Sequence, residues 1–220
     1  MEASSLMQDI IIVCAGSVAV EVYAEIELIN KFEVENGRKA KYRVLGFIDD
    51  NPNALNDYPY VKAPIIGDIN SWHPVGNEKY VLGVAAPKTK EKLVNLLLQR
   101  GCEFETIISP YSKLRSNIEI GTGCFISAYS ISAGAKIGNY VNIMGSMIGG
   151  EAVIGDFSTT LGFANIANGK LGKRVYVGSH AVVLNVPVED DAIVAVGSIV
   201  VRKVKAGTKV FGNPAKKLDI

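Results

Sequence analysis

The chain has 220 residues, 48% of them hydrophobic, and a formal net charge of +1 at pH 7. That length and apolar content suit one large or two small folded domains, and the near-zero charge gives no electrostatic reason to expect binding to nucleic acid or to an acidic membrane. The three cysteines are odd in number and far apart, which fits neither a disulfide framework nor a zinc site. We therefore expect no structural metal and a reducing compartment, the cytoplasm.

The apolar run 10–20 could be taken for part of a signal peptide. Glu2 and Asp9 precede it and no basic residue does, so the basic segment that begins a signal peptide is absent. No apolar stretch reaches the length that spans a bilayer. The sequence therefore predicts a protein that is not inserted in a membrane.

Residues 9–31 predict a buried β-strand, a tight turn and an amphipathic helix. The apolar residues 10–13 are the strand, and Ala15, Gly16 and Ser17 are the turn, with Ser17 as the candidate helix cap. A turn of small residues at a helix start can bind a phosphate through backbone N–H groups. The Gly-x-Gly-x-x-Gly fingerprint of dinucleotide binding is absent.

A second strand, a third strand and a second helix follow, at 42–52, 79–86 and 87–101. Strands that alternate with helices predict a small parallel α/β domain. Ligands of such sheets bind at the carboxyl ends of the strands. The turn at 14–18 and Ala85 lie at such ends, as do two consecutive acids, Asp49 and Asp50. We expect these residues to converge on one cleft.

The region from Ile120 to Val204 repeats every seventeen residues. Each row opens with an aliphatic residue (Ile120, Ile137, Ile154, Leu171, Val188), and two further aliphatic columns follow (Ile126, Ile143, Thr160, Val177, Val194; and Ile131, Ile148, Ile166, Val182, Ile199, with the Ile166 row displaced by one). Spacings of six, five and six suit neither a helix nor an alternating strand. They predict a solenoid of short strands, three to a coil. The alternative, a β-sandwich with glycine-rich turns, does not explain five rows in register.

These rows resemble the hexapeptide-repeat acyltransferases, which fold as left-handed parallel β-helices. The closing segment GTKVFGNPAKKL (207–218) looks like the terminal Gly-Asn-Pro-Ala element of that superfamily. SMIGGEAVIGDF (146–157) is similar to a segment of the sialic acid O-acetyltransferase and nucleotide-aminosugar N-acetyltransferase family. The resemblance implies a Rossmann-like α/β domain in residues 1–103 and a left-handed β-helix with a C-terminal tail in 104–220.

The resemblance also implies a nucleotide-sugar site in the α/β domain. Members carry a glycine-rich loop, usually ending in Gly-Gly-His, where this chain has Ala15-Gly16-Ser17-Val18, so that Val18 takes the histidine position. Members also place acids where Asp49 and Asp50 stand. The implied substrate-binding residues are Gly16, Ser17, Val18, Asp49, Asp50 and Ala85.

The catalytic base of the relatives is a histidine followed by an acid. Aligned on 146–149, the histidine position is Gly150 and the acid is Glu151; a second histidine near the thioester is Thr159 here. Three hypotheses stay open. The base is supplied from elsewhere (Glu151, Asp156 and His180 are candidates) or is not needed. The chain has lost the chemistry and serves as a binding or scaffold protein. Or it transfers a different acyl group.

Relatives are trimers that bind acetyl-CoA between adjacent β-helices, largely through backbone groups. The matching positions here are Gly178, Ser179, Val196 and Gly197, together with Thr159. The resemblance therefore implies a homotrimer that uses acetyl-CoA as co-substrate. It implies acetylation of a nucleotide-linked sugar in surface polysaccharide or glycan synthesis.

Overall fold

The computed structural model describes residues 7–218, and they form two compact units. The first unit holds the described residues up to Val84 together with Lys92–Pro110. The second holds Ala85–Glu91 and the described residues from Tyr111 onward. The domain limits 1–103 and 104–220 stay a prediction.

The first unit is built on a parallel five-stranded sheet with the strand order β3-β2-β1-β4-β5. Its strands are β1 (Gln8–Val13), β2 (Tyr42–Ile48), β3 (Ile65–Gly67), β4 (Lys79–Leu82) and β5 (Glu103–Phe104). Two helices connect them, α1 (Ser17–Glu35) and α2 (Pro87–Leu98). Because β1 lies between β2 and β4, the carboxyl ends of these three strands are adjacent, as the sequence predicts for a parallel α/β sheet.

The central strand β1 is fully apolar where it crosses the sheet. Residues 10–13 have no exposed surface, as expected of a strand covered on both faces. At the end of β4, a Cβ atom on Gly83 would lie 2.3 Å from the Cβ of Ala19. Only a residue without a side chain lets the start of α1 lie this close to the sheet.

The cap of α1 differs from the prediction. Gly16, with an extended backbone, is the N-cap, and no side chain makes a capping hydrogen bond. Ser17 is already the first helical residue. Its hydroxyl therefore cannot cap the helix, because that role needs the residue that precedes the first turn.

The second unit is a parallel β-solenoid, and each coil contributes a strand to each of three sheets. The first sheet contains Phe125–Ser127, Asn142–Met144, Thr159–Thr160, Tyr176–Val177, Ile193–Val194, Lys209–Gly212 and Ala215–Lys217. The second contains Lys113–Leu114, Ser130–Ile131, Met147–Ile148, Asn165–Ala167, Val182–Leu184 and Ile199–Val200. The third contains Glu119–Ile120, Lys136–Ile137, Val153–Ile154, Lys170–Leu171 and Pro187–Val188. A further short strand, Ile107–Ile108, comes before them in the chain. The predicted α/β domain and β-helix are therefore both confirmed.

Two of the three predicted aliphatic columns point into the solenoid as expected, and the third needs a correction. Ile166 pairs with Val183, and Val183 pairs with Val200. Val183 and Val200 are therefore the buried residues of this column, in place of the predicted Val182 and Ile199. The stretch of sequence from Thr160 to Ile166 is one residue longer than the corresponding stretch of the preceding coil. The stretch that follows Ile166, up to the next buried position, is one residue shorter than its counterpart. This change persists in later coils. Since neighbouring residues on a strand face opposite sides, a shift by one exchanges inside and outside.

The coils turn at three corners, each marked by residues with left-handed backbone. We call first corner the ladder Tyr140, Phe157, Arg174 and Asp191, with φ between 55° and 62°. The second corner is the ladder Gly145, Phe163, His180 and Gly197, and the third corner is Gly134, Glu151, Asn168 and Asn185. At each corner a backbone N–H donates to a carbonyl of the preceding coil, as from Phe157 to Asn139 at 2.9 Å.

The C-terminal segment completes the first sheet. Lys209–Gly212 pairs in parallel with Ile193–Val194 and then turns back to pair antiparallel with Ala215–Lys217. Val210 continues the buried column of Val177 and Val194. Between residues 7 and 218, neither helix has the length and apolar character needed to cross a membrane.

Candidate functional site

Asp49 joins the two strand ends predicted to form the acceptor site. Its Oδ2 accepts a hydrogen bond from the backbone N–H of Ala15 at 2.8 Å, and its Oδ1 accepts one from the N–H of Asn51 at 2.8 Å. The carboxylate thus holds the turn after β1 beside the end of β2. The structure brings Asp49 and the Gly16 turn together, as predicted.

Asp50 is directed elsewhere. Its two oxygens accept hydrogen bonds from the N–H of Ile69 at 3.1 Å and from the side-chain amide of Asn70 at 3.0 Å. It therefore stabilises the loop after β3 rather than the Gly16 turn. The two consecutive acids, predicted as one pair, serve different parts of the first unit.

The turn itself contains a half-buried thiol, that of Cys14. Cys14 has a φ of 72°. Burial and the charges of Asp49 and Asp50 raise the pKa of Cys14 to about 12. Because the thiolate is the nucleophilic form, this thiol does not serve as a nucleophile near neutral pH. The turn offers Gly16 and Ser17, both exposed, and Val18, which is half-buried.

Gly150 and Glu151 lie at the third corner of the solenoid. Glu151 is exposed, has a φ of 56° and donates its N–H to the carbonyl of Ala133 at 3.2 Å. Its side chain lies back over the preceding coil, because a Cβ atom on Gly134 would be only 2.0 Å from its Oε1. A Cβ on Gly150 would be 3.4 Å from the Ala133 oxygen, an ordinary contact. The corner thus holds one carboxylate and has room for a side chain at 150.

Thr159 and Ala85, predicted for coenzyme and acceptor respectively, are hydrogen-bonded to each other in the second unit. The Thr159 hydroxyl donates to the Ala85 carbonyl at 2.6 Å, and Thr159 has no exposed surface. Its proton is therefore committed to the backbone. A hydroxyl in this state replaces neither the size nor the proton-accepting ability of a histidine.

The remaining predicted coenzyme residues stack at the second corner. Gly178 is buried, and a Cβ atom on it would lie 2.7 Å from the nitrogen of Val196. The N–H of Gly197 donates to the carbonyl of Ser179 at 2.9 Å. The structure therefore places these four residues together. Within one chain, however, they lie at a different corner from Gly150 and Glu151.

Of the two other candidate bases, Asp156 is engaged by neighbouring groups and His180 is exposed. Asp156 accepts the backbone N–H of Asn139 at 2.9 Å and pairs with Lys173 at 3.0 Å. Burial raises its pKa, but the Asn139 and Lys173 contacts prevail and hold the pKa of Asp156 below its usual value. His180 is exposed and stacks on Phe163, with ring centroids 5.0 Å apart and an angle of 22°.

Lys90 is a feature that sequence reasoning missed. It has no exposed surface, and its ammonium group donates to the carbonyls of Tyr140 at 3.0 Å and Ser158 at 2.8 Å. Burial lowers its pKa to about 7. The run Lys88–Lys92 looks solvated by composition. The position of Lys90 in the helix does indicate that it is buried. It precedes the buried Val94 and Leu97 by four and seven residues and so lies on the same helix face.

A charged cluster supports the same segment. Arg174, at the first corner, forms a bidentate ion pair with Asp191 at 2.8 and 2.9 Å and donates a further hydrogen bond to Glu91 at 3.1 Å. Asp191 also lies 3.9 Å from the ammonium of Lys88. These pairs join residues 85–91 to two more coils of the second unit.

In the described part of the chain, no group of three or more His, Cys, Asp or Glu side chains is arranged to hold a metal ion. The exposed side chains among the candidate bases are the carboxylate of Glu151 and the imidazole of His180. Backbone N–H groups can bind phosphate or stabilise an oxyanion.

No protein-family model matches this chain, and no curated protein does. Solved structures do match it. WeeI from Acinetobacter baumannii AYE is 26% identical, and the match covers 97% of this chain and 100% of that one with a TM-score of 0.78.

Two further structures match along nearly the whole chain. One is a histidine-to-asparagine variant of perosamine N-acetyltransferase from Caulobacter crescentus, solved with CoA and GDP-perosamine. It is 19% identical, and the match covers 99% of this chain and 100% of that one with a TM-score of 0.81. The acetyltransferase domain of PglB from Neisseria gonorrhoeae FA1090 is 18% identical, with 96% and 100% covered and a TM-score of 0.78. The resemblance inferred from the seventeen-residue repeat is therefore confirmed: this chain has the fold of the left-handed β-helix sugar acetyltransferases along nearly its whole length.

Proposed function

We propose that this protein transfers an acetyl group from acetyl-CoA to an amino group of a nucleotide-linked sugar. The observation that carries the proposal is the match to perosamine N-acetyltransferase, which spans both units and was solved with CoA and GDP-perosamine. The retained Asp49 contact to the turn before α1 is consistent with an acceptor site in the first unit.

The residues at the two histidine positions of the relatives favour an amine over a hydroxyl as acceptor. Gly150 has no titratable group, and the Thr159 proton is bound to Ala85. A sugar hydroxyl needs a base to become nucleophilic, and a positioned base contributes roughly 10²–10⁴-fold in rate. A neutral amine attacks the thioester carbonyl without one. The new C–N bond forms, the C–S bond breaks, and the amine proton passes to the departing thiolate or to water.

Coenzyme binding is proposed at the second corner, through the backbone of Gly178, Ser179, Val196 and Gly197. These residues do not share a corner with Gly150 and Glu151 in one chain. A homotrimer, in which one copy offers its second corner and its neighbour the third, would unite them. We propose the acceptor near Gly16, Ser17, Val18, Asp49, Asp50 and Ala85, and a cytoplasmic location.

A second candidate function is binding or assembly without chemistry. The observation in its favour is that both histidine positions of the relatives are occupied by residues that cannot accept a proton, Gly150 and Thr159. Under this hypothesis the solenoid is a scaffold. Transfer of a different acyl group remains a variant of the first proposal.

Calorimetric titration with acetyl-CoA and CoA tests the proposal without a guess at the acceptor. We expect micromolar binding at about one site per chain. A panel of nucleotide-linked amino sugars, and the matching hydroxyl sugars, then identifies the acceptor through release of the free CoA thiol. Absence of binding at millimolar coenzyme would overturn the acetyltransferase proposal and favour the scaffold. Faster turnover with the hydroxyl sugars would overturn the preference for an amine.

A further inference from the structure

Within the second unit, a buried lysine fastens the segment Ala85–Glu91 to two consecutive coils. Lys90 Nζ donates to the Tyr140 carbonyl at 3.0 Å and to the Ser158 carbonyl at 2.8 Å, and lies 3.4 Å from the side-chain oxygen of Asn142. Tyr140 and Ser158 belong to successive coils. One ammonium group therefore joins both coils to the first turn of α2.

The cluster is built around the nitrogen of a lysine side chain. A lysine ammonium has three N–H donors and no acceptor, and three oxygen atoms lie within hydrogen-bond distance of Nζ. Burying such a charge is unfavourable unless hydrogen bonds compensate it. With no exposed surface and with its donors engaged, Lys90 cannot reach a substrate. Its effect must pass through its neighbours.

One of those neighbours is a residue of the candidate site. Thr159 follows Ser158 directly, and its hydroxyl donates to the Ala85 carbonyl at 2.6 Å. Lys90 lies on the same short segment as Ala85 and binds the carbonyl just before Thr159. The Lys90 and Thr159 bonds therefore close one ring of contacts between the segment and the solenoid strand Thr159–Thr160.

We propose that Lys90 is a positioning residue of the acetyl-transfer site, which fixes Thr159 against the Ala85 carbonyl so that the coenzyme and acceptor positions keep their spacing. This inference rests on the proposed function, because the resemblance assigns the positions of Thr159 and Ala85 to the coenzyme and the acceptor. Thr159 is itself buried, and it acts through the Ala85 carbonyl that it holds. Lys90 acts through Thr159 and takes no part in the proton transfer.

A double-mutant cycle on coenzyme binding tests this role. Acetyl-CoA is titrated calorimetrically into the natural protein, Lys90→Met, Thr159→Val and the double variant. If Lys90 acts through Thr159, we expect roughly tenfold weaker binding for Lys90→Met and a smaller loss for Thr159→Val. The double variant should bind within about twofold of Lys90→Met, because coupled residues are not additive. Lys92→Met, which changes an exposed lysine of the same helix, is the matched control and should bind like the natural protein.

The possible outcomes test the role of Lys90 separately from the proposed function. Unchanged affinity in a cooperatively folded Lys90→Met variant, or losses that multiply in the double variant, would overturn the role of Lys90 alone. No binding by the natural protein would overturn the proposed function and this inference together. Should Lys90→Met fail to unfold cooperatively, Lys90→Arg replaces it in the same cycle. Arginine keeps the charge but not the compact three-donor geometry, so affinity and additivity are judged by the same criteria.

Discussion

The carboxylate of Glu151 lies against the backbone of Gly134 in the preceding coil, where a Cβ atom would be 2.0 Å from Oε1. The Glu151 carboxylate, the only one in the third-corner ladder, can therefore occupy this place only because Gly134 has no side chain. Gly134 also has a φ of 74°, a conformation that side chains rarely adopt.

The first prediction follows from this contact. Gly134→Ala should displace the Glu151 carboxylate and, because of its left-handed backbone, destabilise the fold by about 1–2 kcal/mol. If Glu151 contributes to turnover, kcat should fall as it does in Glu151→Ala. Gly145→Ala is the control for the backbone cost alone, since Gly145 has a φ of 64° and its added Cβ would only approach Gly162 at 3.4 Å. Equal kcat values for the Gly134 and Gly145 variants would exclude a role for the Glu151 position.

The second prediction restores a base at the third corner. A side chain fits at Gly150, because its Cβ would contact the Ala133 oxygen at 3.4 Å and its φ is not left-handed. Gly150→His should raise kcat with a hydroxyl acceptor by roughly 10²-fold and introduce a pH dependence near the pKa of imidazole. The measurement is steady-state turnover between pH 5 and 9.

Gly150→Ala is the matched control for that experiment, because it fills the same space without a titratable group. A histidine variant no faster than the alanine variant would contradict the assigned position of the base. Gly149 is a second control for the geometry. A Cβ there would lie 2.9 Å from the Ile166 oxygen, so Gly149→Ala should lower the melting temperature while Gly150→Ala should not.

The sequence predicted the architecture because a period of seventeen residues has few physical solutions. Two buried columns could be read directly, since each keeps a spacing of seventeen residues in every row. The third could not, because Val182 and Val183, like Ile199 and Val200, are adjacent aliphatic residues and either could face inward. The longer link after Thr160 decided the register, and its length alone did not show that the shift persists.

The site was harder to predict because its contacts join distant parts of the chain. Asp49 and the Gly16 turn were found, since strand ends in a parallel sheet converge. The hydrogen bond between Thr159 and Ala85 joins residues 74 positions apart, and no local sequence pattern predicts it. Lys90 was missed because a charge among other lysines suggests a solvated face, although its helical position placed it with Val94 and Leu97.

The third prediction concerns pH and Lys90. Its folded pKa is lowered to about 7, from 10.5, because burial disfavours the charged form. Between these values the unfolded chain holds a proton that the folded protein lacks. Unfolding therefore takes up a proton, and the free energy of unfolding should rise with pH from about 7 to 10.5. Below pH 7 both states are protonated and the contribution is constant.

The measurement is urea denaturation of the natural protein and Lys90→Met across pH 6–10.5. The difference between the two curves isolates Lys90, because the other titrating groups are shared. That difference should grow in favour of the natural protein as pH rises. Lys92→Met, which changes an exposed lysine of the same helix, should follow the natural curve throughout. A difference that is flat with pH would mean that Lys90 stays charged in the fold.

The fourth prediction tests the role of Asp49 in shaping the acceptor turn. Its two oxygens accept the N–H groups of Ala15 and Asn51. Asp49→Asn leaves only one acceptor oxygen, so one N–H loses its partner, at a cost of about 1–3 kcal/mol. We expect a lower urea midpoint and weaker binding of the nucleotide-linked acceptor, with acetyl-CoA affinity unchanged. Asp57→Asn, at an exposed position of the same unit, should alter neither. If Asp49→Asn weakened coenzyme binding as much as acceptor binding, Asp49 would act on the whole fold, and the acceptor would have to be sought away from the Gly16 turn.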